Sequence, residues 1–157
     1  PRLLGEAVRY AVRGDGALTF GVTTAQVFCR SREGLASPDL QLLFTPASYD
    51  PQQFGVLERE PGMTVAVCPV RPDSRGTILA RSADPFEKPA IRPNYLSAPS
   101  DRRVLMAGLR LTRDIFAQPA IARHSAFEMV PGPDVRSDEE MVEYMRGYGT
   151  TIYHPVG

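Results

Sequence analysis

Ser74-Arg-Gly-Thr-Ile-Leu-Ala-Arg-Ser-Ala-Asp-Pro-Phe-Glu-Lys-Pro-Ala-Ile-Arg-Pro-Asn-Tyr-Leu96 reads as turn, strand, turn, short strand, turn. Ser74-Arg75-Gly76 supplies a tight reversal in which Gly76 is free to take positive φ. From Thr77 to Arg81 the side chains alternate, Ile78 and Ala80 on one face and Thr77, Leu79 and Arg81 on the other, which is the period of a strand. Asp84-Pro85 breaks it. Pro89 and Pro93 then bracket Ala90-Ile91-Arg92 so closely that only a short edge strand fits. Asn94-Tyr95-Leu96 leads to a helix start.

Working outward from that stretch, the bulk properties bound the class. The 157 residues are enough for one domain, or a large piece of one, with a real core. Lysine plus arginine equals aspartate plus glutamate at 18 each, so no global field invites nucleic acid or anionic lipid. Met63 to Val70 is the longest apolar run and is far too short to span a bilayer. There is no basic-then-apolar leader pattern, and a start at Pro1 without Met implies processing or excision. Cys29 and Cys68 each lie in a strand-like run and read as buried free thiols in preference to a disulfide. That points to a reducing, cytoplasmic compartment.

Upstream, Leu3, Leu4, Ala7, Val8, Ala11 and Val12 recur at helical spacing, which predicts an amphipathic helix over Arg2 to Val12 with one buried stripe. Gly14-Asp15-Gly16 has the look of a dinucleotide loop but follows no strand, precedes no helix and has Thr19 where a third glycine is needed; it is a turn. Thr23 to Arg30 and Asp39 to Thr45 are strands, antiparallel because their connection is too short for a crossover helix. Pro46 to Gly62 is a long loop carrying Tyr49 and Phe54, readable as a lid or interface or as a surface excursion. Met63 to Arg71 is a strand buried on both faces.

Downstream, Ser100 caps a helix with Asp101 at its positive end. Val104, Leu105, Gly108, Leu109, Leu111, Thr112, Ile115 and Phe116 form the helix's continuous stripe. Arg102, Arg103, Arg110 and Arg113 lie mostly off it and read as a solvated face, not a nucleic-acid site. Pro119 to Arg123 can start another turn, and Phe127 to Val130 a last strand. Ser137-Asp-Glu-Glu140 is a capping box. Met141, Tyr144 and Met145 line the helix that follows, which Gly147 and Gly149 end.

The tail Thr151-Ile-Tyr-His-Pro-Val-Gly157 holds the best chemical candidate. An imidazole such as that of His154 is the side chain type suited to general acid–base work near neutral pH, and Pro155 forces His154 towards an extended backbone. The bland alternative is a hydrogen-bonded or exposed structural histidine. His124 has no partner nearby. No Ser-His-Asp or Cys-His constellation can be drawn, and isolated histidines and cysteines make a poor metal set.

Ser74-Arg-Gly-Thr, Leu79-x-x-Ser-x-Asp-Pro85 and Pro89-x-Ile-x-x-Asn-Tyr-Leu96 together resemble the substrate-domain signature of the glucose–methanol–choline (GMC) flavoprotein oxidoreductases. Tyr153-His-Pro-Val-Gly157 is similar to the start of that family's C-terminal signature. Ser37 to Gln41, Asp101 to Ile115 and Pro131-Gly132 with Ser137 to Glu140 fall in the same order. The closest flavour is the bacterial choline/alcohol dehydrogenase-like branch.

The resemblance implies an FAD-dependent alcohol oxidation in which His154 is the active-site histidine, standing with Pro155 against the flavin. Tyr153 would line the substrate, joined by Thr24, Gln26, Tyr49 and Phe54 in an apolar pocket. It also implies departures. The flavin-binding glycine fingerprint is absent, and so is the second active-site His or Asn expected beyond Gly157. The chain then corresponds to a substrate-binding part over 1–150, with 151–157 returning to a missing FAD-binding domain of the same polypeptide, and FAD is not expected to be held by this part alone. Choline-oxidising members place a carboxylate in the pocket, and Thr24 and Gln26 supply none, which argues against choline itself.

The expected fold is α+β: a mostly antiparallel sheet of about five to six strands, with helices near 2–12, 101–117 and 137–147 packed on one face. The alternative function is a stand-alone binding or assembly domain with a structural His154.

Overall fold

A computed structural model describes residues 2–51, 53, 55–151 and 153. In chain order it comprises α1 (Arg2–Arg13), a 3-10 turn (Ala17–Thr19), β1 (Ala25–Cys29), β2 (Leu40–Thr45), β3 (Thr64–Pro69), β4 (Thr77–Leu79), β5 (Ala90–Arg92), α2 (Pro99–Phe116), α3 (Pro119–Ala122) and α4 (Asp138–Tyr148). The class is α+β, as the sequence leads one to expect. Among the described residues the five strands divide between two sheets, β1-β2-β3 and the hairpin β4-β5. The Thr24 amide donates to the Phe44 carbonyl and the Asp39 amide to that of Cys29. One strand's numbers rise as the other's fall, so β1 and β2 run antiparallel. The chain forms two compact units, 1–27 with 42–66, and 28–41 with 67–157.

In the first unit, α1 carries the apolar stripe the sequence shows, but the stripe is exposed: Leu3, Leu4, Val8 and Val12 all face solvent. This corrects the expectation of a buried stripe. What holds α1 to the chain after it is polar. The Ala17 amide donates to Glu6 Oε2 at 2.9 Å, and Arg9 Nε donates to Asp15 at 2.7 Å. The 46–62 loop is built, not loose. The Asp50 amide donates to the Val56 carbonyl and that of Glu58 to the Ser48 carbonyl, around an antiparallel bridge between Tyr49 and Leu57. Gly55 takes positive φ near its tip, where a side chain would be strained.

In the second unit, Met106 of α2 meets Met141 and Met145 of α4, and Leu96, Leu105, Leu109, Val135, Val142 and Tyr144 pack around them. Gly108 lets α2 lie on the sheet, because a Cβ there would stand 2.3 Å from Val67 Cγ1 and 2.8 Å from Leu40 Cδ1. Leu40 is fully buried. The capping box of α4 is complete. The Glu140 amide donates to Ser137 Oγ, and the Ser137 amide donates to Glu140 Oε2. That helix runs through Gly147 and stops at Gly149, so only the second of the two glycines ends it.

Four further readings change. Ser100 is not the cap of α2: Ala98 holds that position and Pro99 opens the helix. The Ser100 hydroxyl instead donates to Asp73 at 2.6 Å. Gly76 does not take positive φ. It is needed for space, since a Cβ would meet the Arg92 carbonyl oxygen at 2.3 Å and that of Pro93 at 2.5 Å. Residues 127–130 form no strand. They are held by Arg113, whose guanidinium pairs with Glu128 at 2.9 Å and donates to the carbonyls of Gly132 and Val135. Finally, β3 is half-buried along most of its length, with Ala66 exposed, and is not sealed on both faces.

Candidate active site

The signature stretch is fastened to α2 by one carboxylate. Asp101 is only 4% exposed and accepts the Asp73 amide at 2.7 Å and the Ser74 amide at 2.9 Å. The Ser74 hydroxyl accepts the Ala98 amide at 3.0 Å, which closes the turn onto the helix start. Burial by itself pushes the Asp101 carboxyl up. The hydrogen bonds from the Ser74 side chain and the Asp73 and Ser74 amides, with Arg75 nearby, outweigh it and hold the group below its ordinary value. Beyond this turn, β4 and β5 pair in the register Thr77↔Arg92, Ile78↔Ile91 and Leu79↔Ala90. Ile78 and Ile91 are exposed, and Phe86 on the connecting loop is 93% exposed. The hairpin thus presents apolar side chains to solvent.

The tail follows from the end of α4. The Gly149 amide donates to the Met145 carbonyl at 2.8 Å, and a Cβ on Gly149 would stand 2.3 Å from that oxygen. The chain leaves the helix there. The Thr151 hydroxyl then accepts the Tyr153 amide at 3.0 Å, and Tyr153 sits at φ 63°, in the left-handed region. Its side chain is 72% exposed.

His154 and Pro155, the residues expected to do the chemistry, lie outside the described residues, and so does Phe54. Thr24 and Gln26 are two positions apart and share one face of the chain entering and forming β1, where both are exposed. Tyr49 is half-buried beside its bridge to Leu57 in the same unit. Tyr153 belongs to the other unit. Among the described residues of the second unit, one surface recess lies between α2 and α4 and another at the open end of the β4-β5 hairpin, beside Arg75 and Asn94. Among the described residues, none of those nominated from sequence lines either recess.

The remaining titratable groups read as structural. Burial pushes the thiols of Cys29 and Cys68 up, with Asp39 adding to the effect at Cys29. Both cysteines are free, and neither is an activated thiolate. Of the four arginines on α2, Arg110 pairs with Asp138 and Arg113 with Glu128, so this face serves helix packing. Sequence reasoning missed the Arg113–Glu128 contact and the Asp101 receptor. An arginine late in a helix and an acid at its start are too common to announce such partners.

No described residues fit the phosphates of a flavin dinucleotide. The one glycine turn of suitable form, 14–16, has its Ala17 amide already taken by Glu6, and the Glu6 carboxylate oxygen stands 2.6 Å from where a Gly16 Cβ would be.

This α+β chain, with its hairpin, its paired helices α2 and α4 and its Tyr-His-Pro sequence, belongs to the GMC oxidoreductase family, whose model matches residues 72–157. The chain is 40% identical over all 157 residues to an alcohol dehydrogenase [acceptor] of Pseudomonas putida. It is 38% identical over 130 residues, 82% of the chain, to an oxygen-dependent choline dehydrogenase of Staphylococcus aureus. It spans only 28% and 22% of those relatives' lengths. A formate oxidase of Aspergillus oryzae, whose FAD modification has been studied, superposes with TM-score 0.73 at 21% identity over 94% of this chain and 30% of its own. Pyridoxine 4-oxidase from Mesorbium loti superposes at TM-score 0.71 and 19% identity, over 81% of this chain and 25% of its own. These two likenesses establish the fold. Among the described residues, no helix is long and apolar enough to cross a membrane.

Proposed function

We propose that this chain is the substrate-binding part of an FAD-dependent oxidoreductase that converts the CH–OH group of an alcohol to a carbonyl. The observation that carries this reading is the 40% identity, along the whole chain, to an alcohol dehydrogenase [acceptor]. Residues 1–150 form the substrate side, and 151–157 begin the return to an FAD-binding domain elsewhere in the polypeptide. Flavin, held by that other domain, supplies the redox chemistry by accepting the hydride that leaves the carbinol carbon.

This chain's part is to bind, orient and move one proton. His154 takes or holds the hydroxyl proton as the carbonyl forms, a role matched to an imidazole that titrates near neutral pH. Pro155 is the residue that would join His154 in meeting the flavin. Tyr153, Thr24, Gln26, Tyr49 and Phe54 are the residues this reading nominates to meet the substrate, and none of them is a carboxylate suited to a trimethylammonium group. A neutral primary or secondary alcohol therefore fits better than choline. The free thiols of Cys29 and Cys68 fit a reducing, cytoplasmic setting.

The test is anaerobic. The full-length polypeptide loaded with FAD should lose its oxidised-flavin absorbance on mixing with a panel of primary and secondary alcohols. This chain given FAD should not retain the flavin through gel filtration. A full-length flavoprotein that no alcohol reduces would end the proposal.

A further inference from the structure

The recess at the open end of the β4-β5 hairpin is lined by two arginines and no acid. Arg75, Gly76, Thr77, Arg92 and Asn94 form its walls, and its volume of about 290 Å³ sits at the low end of the range for small-molecule sites. The hairpin register sets Thr77 opposite Arg92, so these two side chains share one face of the ladder. Arg75 is held beside them, because its Nη1 donates to the carbonyls of Pro72 at 2.7 Å and Ser74 at 3.1 Å. Asn94, at φ 56°, donates from Nδ2 to the Arg75 carbonyl at 2.9 Å. Gly76 stands against the backbone of residues 92 and 93 with no room for a Cβ. Bonds to backbone therefore fix these walls.

The charges on these walls have no counterpart among the described residues. Arg9, Arg110, Arg113 and Arg146 each pair with a carboxylate, whereas Arg75 and Arg92 have none within ion-pair distance. Asp101 lies near enough to feel Arg75, but its two oxygens are taken by the Asp73 and Ser74 amides. The Nη1 hydrogens of Arg75 are spent on carbonyls, which leaves Nε and Nη2 for a further acceptor. Two guanidinium groups on one recess repel each other unless an anion lies between them, and their planar forks match the paired oxygens of a carboxylate or phosphate. We propose that this recess is an oxyanion site in which Arg75 and Arg92 together hold one phosphate or carboxylate group. The group comes either from a free small anion or from an acidic side chain in the remainder of the polypeptide, since the chain spans only 28% of its alcohol dehydrogenase relative. The recognition chemistry is the same for both, and it does not depend on the proposed alcohol oxidation.

The experiment uses the full-length FAD-loaded polypeptide with Arg75→Gln, Arg92→Gln, the two combined, and Arg92→Lys. Thermal midpoints are measured in sodium chloride and in inorganic phosphate at equal ionic strength, which holds general screening constant. An anion that binds only the folded protein raises the midpoint once its concentration passes its Kd. If the oxyanion is free, phosphate should raise the wild-type midpoint above its chloride value. Each glutamine variant should then weaken the apparent phosphate affinity about tenfold or more, as the loss of a charge-assisted hydrogen bond does. If the polypeptide supplies the oxyanion, phosphate should do nothing to wild type, and each glutamine variant should lower the chloride midpoint by about 2 °C or more. The double variant should fall no further than the worse single one, because both lose the same partner.

A phosphate effect that persists in either glutamine variant would show that the two arginines do not share the anion, and would overturn the site. With no phosphate effect in wild type, a single variant that leaves the chloride midpoint unchanged would overturn it too, and so would losses that simply add in the double variant. Arg92→Lys keeps the charge and loses the fork, so it carries the comparison if a glutamine variant fails to load FAD. In that variant either the phosphate effect or the chloride midpoint should fall, and wild-type values of both would end the proposal. None of these outcomes bears on whether an alcohol reduces the flavin.

Discussion

The carboxylate of Asp101 and the backbone amide of Ser74 meet at 2.9 Å, with the Asp73 amide on the same carboxylate at 2.7 Å. Through these bonds the first turn of α2 grips the start of the hairpin, from 27 residues away along the chain. A carboxylate is well suited to the task. It accepts two parallel N–H groups and, near a helix N-terminus, also meets the positive end of the helix dipole. Asp101→Ala leaves two amides without their acceptor in a part-buried place. The expected loss is about 2–3 kcal/mol, read as a lower urea midpoint with the slope unchanged.

The same carboxylate predicts how stability depends on pH. Asp101 titrates lower in the folded chain than its ordinary 3.8, and so does Asp39, whose burial is outweighed by hydrogen bonds from the Ser31 hydroxyl and amide. A carboxyl held down on folding stabilises the fold fully above its unfolded pKa. That contribution disappears as the pH falls through the folded value. Unfolding free energy should thus be level near neutrality and fall with acid below about pH 4. In Asp101→Asn the fall should be shallower. An equally steep acid limb in that variant would mean the carboxylate is not the group responsible.

How much of this was legible beforehand depends on the range of the interaction concerned. The capping box at Ser137 and Glu140 appears in full, and the strand alternation of β2 holds at Leu40 and Leu42 but breaks at its end, where Thr45 is buried and Phe44 is only half-buried. Pro89 and Pro93 bracket a short strand, and β5 fits between them. The misreadings concern contacts distant in sequence. Ser100 has every local mark of a cap but serves Asp73 instead. Periodicity shows that α1 has an apolar stripe, yet it does not say whether anything covers it. The candidate site divides in the same way: resemblance named its residues, whereas the Thr151–Tyr153 turn needed coordinates.

Gly76 offers a steric prediction. Its place is set by the backbone of residues 92 and 93, and backbone cannot swing aside as the end of a side chain can. Gly76→Ala should force β4 and β5 apart, at a cost of about 1–3 kcal/mol. Chemical shifts of Thr77 and Arg92 should move with it. Gly34→Ala makes a useful comparison, because a Cβ at Gly34 meets nothing within 4 Å and any loss there reports only its positive φ.

Arg113 gathers Glu128, Gly132 and Val135 with three of its nitrogens. Lysine keeps the charge but has a single nitrogen and no planar fork. Arg113→Lys should therefore be destabilising by about 1–2 kcal/mol in urea unfolding, with the 128–135 segment showing faster hydrogen exchange than α2. A variant as stable as wild type would show that charge alone suffices there.

The central claim is that this chain brings the proton-handling group to an alcohol oxidised by flavin. Its most direct measurement is the limiting rate of anaerobic flavin reduction in the full-length enzyme, wild type against His154→Ala, with one alcohol that reduces the wild type. The account predicts a fall of about a hundredfold or more, within the range by which a positioned acid or base accelerates such steps, while FAD content stays unchanged. A variant that reduces its flavin at the wild-type rate would contradict it.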